Sequence, residues 1–237
     1  MAINTLYPIQ IYQKKINHRA IFKFGFNSSI GTTEATVWDQ GGIYTYLSSA
    51  SVLKLSSSNN SDTSTVVIYG LDENWNEINE TVILTGQTEV NTTNSFIRIY
   101  RGTVISGQPL GDIYAGTGTV TAGVPQNIFM KILATENQTL MAVWSVPAGY
   151  TGYIYQVTIS SGTSLANKFI LSRLKVREFG EVFRTRLLLT QQNTTSTFDK
   201  AYPTIVPEKS DIEIRAVSSS GTDQVSATFT VVYVKNE

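Results

Sequence analysis

The chain has 237 residues, with 18 basic and 18 acidic side chains, one histidine and no cysteine. Without cysteine there can be no disulfide or thiolate metal site, which fits folding in a reducing cytosol. Zero net charge argues against a dedicated nucleic-acid binder, which carries a basic excess. The length suits one large β domain or two small ones. Abundant Ser, Thr, Asn and Gly, with 12 Tyr and 10 Phe, suit strands joined by many turns.

Residues 1–42 form the least regular part of the chain and are expected to be an arm or an edge segment. Lys14, Lys15, His18 and Arg19 make a small basic cluster, and Ile21 to Phe26 alternates like a strand before Gly31, Gly41 and Gly42 interrupt it. The N-terminal stretch lacks the charged-then-apolar layout of a signal peptide. No run of about 18 apolar residues occurs, so no membrane-spanning helix is expected. From Ile43 short strands follow one another: Val52–Leu55, Val66–Tyr69, Glu77–Leu84, Phe96–Tyr100 and Ile128–Leu133, then Tyr153–Ser160, Phe198–Ile205, Asp211–Val217 and Val225–Val234. Turn signals recur roughly every 8–12 residues, the signature of a sandwich or barrel. Glu136–Val143 is the best helical candidate, as one short turn. The expectation is an all-β chain: an antiparallel, jelly-roll-like β-sandwich over 43–237, behind an irregular N-terminal arm. A division near Gly123-Val124-Pro125 stays open.

The strongest pattern lies at Phe169–Leu189. Two alternating runs flank Glu178-Phe179-Gly180-Glu181, where Gly180 tolerates positive φ, so the stretch predicts a β-hairpin. Ile170, Leu174 and Val176 share one face, and Arg173, Lys175 and Arg177 share the other. On the return strand Arg184 and Arg186 alternate with Phe183, Leu187 and Leu189. Five cations would then meet on one side of the ribbon. Like charges opposite one another destabilise a sheet, so carboxylates are expected near them. Their source is either Glu178, Glu181 and other acids of the chain or an acidic protein partner. The arginine bias favours a protein interface, because arginine is weakly hydrated and pairs bidentately.

Tests for chemistry return little. A lone His18 without cysteine makes a nucleophile–base pair improbable and offers no zinc ligand set. Asp72-x-Asn74-x-Asn76 starts like a calcium loop, but Glu77 stands where glycine is required and Ile83 where the terminal glutamate belongs. Asp72, Glu73, Glu77 and Glu80 therefore read as turn and wet-face residues. Tyr44/Tyr46 and Tyr153/Tyr155 sit at strand spacing and could form a sugar platform, though core packing explains them more readily. No catalytic residue, cofactor or metal is expected.

Several phrases together resemble a family of virion structural proteins of tailed phages, notably of marine bacteria and cyanobacteria. They are Val37-Trp38-Asp39-Gln40-Gly41-Gly42, Ile68-Tyr69-Gly70-Leu71-Asp72, Glu80-Thr81-Val82-Ile83-Leu84-Thr85-Gly86 and Thr92-Thr93-Asn94-Ser95-Phe96. Further on come Asn137-Gln138-Thr139-Leu140-Met141, Val146-Pro147-Ala148-Gly149-Tyr150, the basic hairpin and Val206-Pro207-Glu208-Lys209-Ser210-Asp211-Ile212. They run in order through residues 35–237. The resemblance implies a non-enzymatic virion protein assembled in the host cytoplasm, and it transfers no catalytic residue. The expected role is a capsid decoration (cement) protein, homo-oligomeric, bound to the major capsid protein or another virion protein. A neck, tail or fibre component and a carbohydrate-binding adsorption module are the alternatives. Neither nucleic acid nor membrane is an expected partner.

Overall fold

The computed structural model describes residues 10–11, 16–162 and 167–237, and for Lys200 and Ala201 the backbone alone. Lys14 and Lys15 of the basic cluster lie outside the described residues. The strands run in chain order as β1 (His18–Ile30), β2 (Ala35–Thr36), β3 (Ser51–Ser57), β4 (Thr65–Leu71), β5 (Glu77–Ile83), β6 (Val90–Phe96), β7 (Arg98–Ser106) and β8 (Ile113–Thr121). They continue as β9 (Val124–Ile132), β10 (Val143–Ser145), β11 (Tyr150–Ser161), β12 (Ile170–Arg177), β13 (Arg184–Gln191), β14 (Thr195–Val206), β15 (Asp211–Ser218) and β16 (Asp223–Lys235). All their pairings are antiparallel.

The strands form four sheets, ordered β1-β16-β11-β14, β10-β15-β12-β13 with β2 on β15, β6-β3-β8-β9, and β5-β4-β7. The all-β antiparallel expectation holds. The strand order, however, is that of four sheets and not of one jelly roll. The physical reason is that the apolar pattern feeds two large cores, besides a small cluster of Trp38, Tyr44, Met141 and Val143. The first joins Ile154, Val157, Phe229 and Val231 of the β1-β16-β11-β14 sheet to Trp144, Ile170, Leu174, Ile212 and Ile214 of the β15 sheet. The second joins Leu53, Leu55, Ile113 and Met130 to Val66, Ile68, Val82 and Ile99. Strands β3 to β9, residues 51–132, supply every strand of the second pair of sheets, so they form an inner unit inserted into an outer one. Leu71, Trp75, Ile97 and Tyr100 of the inner unit reach into the outer unit's core and fasten the two together.

Within residues 1–42, β1 runs along β16 from His18↔Val234 to Asn27↔Val225, as an edge strand of its sheet. Its outer edge is stitched to other parts of the chain: the Phe26 amide donates to Leu140 O, and Arg101 donates to Phe22 O at 3.1 Å. Gly25 permits that approach, because a Cβ there would stand 2.3 Å from both Val37 O and Ala142 N. Gly123, Val124 and Pro125 lie at the β8–β9 connection, inside one sheet. Glu136–Val143 is not helical. Its backbone groups go to neighbouring chain instead, with Val104 N donating to Asn137 O and Thr139 N to Gly102 O, and with a bridge from Met141 to Trp38. Phe96–Tyr100 is split at Ile97 between β6 and β7.

Candidate functional site

The basic hairpin forms as β12 and β13, with Gly180 at φ 78° and Glu181 N donating to Glu178 O. In β12 the alternation is regular: Ile170, Ser172, Leu174 and Val176 are buried, and the residues between them are half-buried. The register differs from simple alternation, because a bulge falls between Leu174 and Lys175. Lys175 therefore faces Thr185, Arg184 faces Val176, and Arg173 faces Leu188. The five cations do not form one row.

Each cation has a carboxylate partner within the chain. Arg173 and Lys175 reach Glu34 at 3.0 and 2.9 Å, and Arg215 joins them at 3.3 Å. Partial burial pushes the Glu34 carboxyl up, but the bonds and charges of Lys175 and Arg215 outweigh it and hold the group below its ordinary value. Arg177 reaches Asp211 at 2.6 Å, Arg184 reaches Glu181 at 2.6 Å, and Arg186 reaches Glu178 at 2.9 Å. The β12–β15 register explains the Arg177–Asp211 pair, since the two stand opposite each other, whereas Lys175 stands opposite Glu213 but reaches Glu34. The acids of Asp211-x-Glu213 are the sequence signal that complements Lys175-x-Arg177, while Arg215 stands opposite Arg173 and shares Glu34 with it.

Asp211 is the centre of a junction between the units. Its carboxylate accepts from Arg98 Nε and Nη2 at 2.7 and 3.1 Å, from Arg177 Nε and Nη2 at 3.1 and 2.6 Å, and from Ser145 Oγ at 2.5 Å. Arg98 Nη1 donates to Leu47 O and Ile97 O, so this buried guanidinium is heavily engaged. Arg98 also lies 4.5 Å from the Trp75 ring and 5.1 Å from Tyr46, while Arg177 lies 4.5 Å from Tyr46 and 4.7 Å from Phe183. Such stacking suits the weakly hydrated planar cation. Nothing local in the sequence marked Arg98, which sits between two isoleucines.

Beside this network lies a cleft of about 580 Å³. The chain at 46–50 and the Trp75 turn line one side, and Arg177, the 178–181 turn and Lys209 line the other. Phe179 stands at the mouth, 65% exposed, with its ring edge-on to Trp75 at 5.8 Å.

A second polar cluster lies beneath β1. Lys23 is buried and donates to Tyr100 O, and burial lowers its ammonium well below the ordinary value. Asp39 accepts from Leu140 N at 2.8 Å through one oxygen, and among the described residues its buried Oδ1 has no partner. Burial raises this carboxyl from 3.8 to about 7, against the Leu140 bond and the charges of Lys131 and Lys23.

The remaining candidates are spread over the fold. Asp72 Oδ1 accepts from Asn74 N and Asn76 N at 2.8 Å each, so its carboxylate is spent on its own turn. Tyr44 is buried, with its hydroxyl directed at Ile99 O and Phe129 O and its ring edge-on to Trp38. Tyr153 faces Val232 and Ile205 on the outer side of its sheet, and a bulge at Tyr155 breaks its spacing with that residue. His18 opens β1 opposite Val234. Among the described residues no group of three His, Asp or Glu is placed to hold a metal ion.

No protein-family model and no characterised protein matches the chain. Solved structures that resemble it include that of infectious bursal disease virus, Gx strain, at 10% identity and a TM-score of 0.26, covering 92% of this chain and 72% of that one. The VP2 subviral particle of infectious bursal disease virus is similar at 10% identity and a TM-score of 0.21, covering 94% and 77%. Likeness at this level carries no argument, and the reading below rests on the chain's own residues.

Proposed function

We propose that the chain is a non-enzymatic structural protein of a tailed-phage virion, a decoration or cement protein that binds the major capsid protein or another virion protein as a homo-oligomer. The observation that supports this reading is where the family-like phrases fall. They meet in pairs at the joints of the fold. Val37–Gly42 meets Asn137–Met141 through the Trp38–Met141 bridge and the Leu140–Asp39 bond. Glu80 accepts from Thr93 N and Asn94 N at 2.7 and 2.9 Å, joining the third phrase to the fourth. Val146 N donates to Ser210 O and Lys209 N to Val146 O, joining the Val146–Tyr150 phrase to the Val206–Ile212 phrase. Residues that resemble a family in matched, contacting pairs carry a shared scaffold more readily than a shared reaction.

The test is the copy number of this chain in purified particles, measured by quantitative mass spectrometry. Shell decoration predicts on the order of hundreds of copies, and a small ring number would instead place the chain at the neck or tail. Absence from the particle fraction of a lysate that contains the chain would overturn the reading.

A further inference from the structure

Carboxylates of the chain neutralise the hairpin, Asp211 serving Arg177 alone of its five cations, but the adjoining cleft keeps unsatisfied binding capacity. Arg98, Arg177 and Lys209 line it against the single inner carboxylate of Asp211. Arg98 is fully occupied, whereas Arg177 binds Asp211 through Nε and Nη2 and keeps its side chain 28% exposed. Among the described residues the Lys209 ammonium has no carboxylate within ion-pair distance, and it stands 5.6 Å from the Phe179 ring. The turn's own acids do not cancel this excess, because Glu178 and Glu181 are tied to Arg186 and Arg184, which leaves Glu73 exposed on the rim.

Two further features shape the cleft. Its wall at Leu47–Ala50 belongs to no strand, and Ser48 and Ser49 are exposed. Among the described residues the amides of Leu47, Ser48 and Ser49 donate to no backbone carbonyl. The walls are also held in costly conformations. Trp75 at φ 64° and Lys209 at φ 59° are two of the five non-glycine residues at positive φ among the described residues, and both line this cleft. The left-handed conformation is unfavourable for a residue with a side chain. It persists where surroundings fix it, here Asp72 O accepting from Trp75 N and Val146 O accepting from Lys209 N.

We infer that the cleft is a docking site for an extended acidic segment of a partner protein. A guest carboxylate meets Lys209 and the outer face of Arg177, the guest backbone takes the amides of 47–49, and an aliphatic side chain rests on Phe179. A bare phosphate could accept from the amides and cations but would leave Phe179 unused. A sugar would find the Trp75 ring already covered by Arg98 and Phe179. The inference rests on the virion reading only for the source of the segment.

The test titrates the full ¹⁵N-labelled chain with an acetylated, amidated Ser-Glu-Val-Glu-Ser peptide, its Gln counterpart, and inorganic phosphate. The acidic peptide should saturably shift the amide signals of Ser48, Ser49 and Lys209, with the Gln peptide weaker by about tenfold. Lys209→Asn keeps a residue that tolerates positive φ and removes the charge. It should weaken the acidic peptide by about tenfold, while Lys235→Asn should change nothing. No shift at millimolar peptide, equal binding by Lys209→Asn, or phosphate displacing the peptide at equal concentration would each overturn the inference. Peptide binding by a chain absent from particles would remove the virion reading and leave the site standing. Particles that contain the chain, with no peptide binding, would do the reverse.

Discussion

Replacing Asp211 by asparagine tests whether the two units are joined as described. The carboxylate side chain is 3% exposed and its partner Arg98 9% exposed, so both charges are out of water. Asparagine preserves the shape and an acceptor for Ser145 but leaves Arg98 buried without a counter-charge. Breaking a buried pair in this way costs about 3–5 kcal/mol. In a chain of this size each kcal/mol lowers Tm by about 2–4 °C, so calorimetry should show a fall of roughly 6–20 °C. Arg177 shares the carboxylate but is 28% exposed, so Arg177→Ser should cost less, about 1–2 kcal/mol. Arg184, 54% exposed in its pair, should cost under about 0.5 kcal/mol. The double variant Arg98→Met with Asp211→Leu removes both buried charges and should recover part of the loss, the remainder coming from Arg177 and Ser145 left without their acceptor and Leu47 O and Ile97 O without their donor. A single-site cost below about 1 kcal/mol, or strictly additive single costs in the cycle, would refute the argument.

Asp39 gives the chain a pH dependence whose sign follows from its raised pKa. Its carboxyl ionises near 3.8 when unfolded and near 7 when folded, so its stabilising contribution is complete below 3.8 and is lost as pH rises through 7. The difference between wild type and Asp39→Asn across that window should reach about 2–4 kcal/mol in urea melts, and parallel curves would count against it. Lys23→Met should leave stability at pH 7 unchanged or raise it, because a buried ammonium is exchanged for an apolar chain of similar length; a loss above about 2 kcal/mol would show that the Tyr100 bond outweighs desolvation. Gly123→Ala and Gly180→Ala both place a side chain at positive φ, at 76° and 78°, but a Cβ on Gly123 would stand 1.9 Å from Ser57 O and one on Gly180 meets nothing within 4 Å. Gly180→Ala should cost about 1–2 kcal/mol and Gly123→Ala clearly more, and equal melting temperatures would contradict the close approach.

How legible the fold was depends on the range over which each interaction is decided. The β12–β13 hairpin could be read because period-two alternation and a turn glycine act between near neighbours. The bulge could not, since the extra residue at Arg186 is accommodated only once Leu187 must stay opposite Leu174. Asp211 and Glu213 were readable in principle as the complement of Arg177 and Lys175, but pairing those strands requires knowing that β15 lies beside β12. Arg98 offered no signal, because a cation between Ile97 and Ile99 looks like a solvent-facing strand residue until a buried carboxylate from 113 positions away meets it. The nested units were hidden for the same reason: the partner of Phe22 is Thr230, and no local pattern announces it.

That pairing of β1 with β16 fixes an order of events as the chain is made. The inner unit, contained in residues 51–132, closes its own sheets from contacts among its own strands and can fold while the rest is still being synthesised. The outer unit has no such freedom. β1 leaves the ribosome early and waits for β16, almost the whole described length later, with Phe22, Phe24 and Phe26 on one face and an unpaired backbone edge throughout. Contacts of such long sequence separation form slowly, and the waiting strand is a site for capture by other chains. Moving β1 to follow β16 by circular permutation would turn this last pairing into a local hairpin. The outer unit's folding would then cease to be the step limited by the full length of the chain.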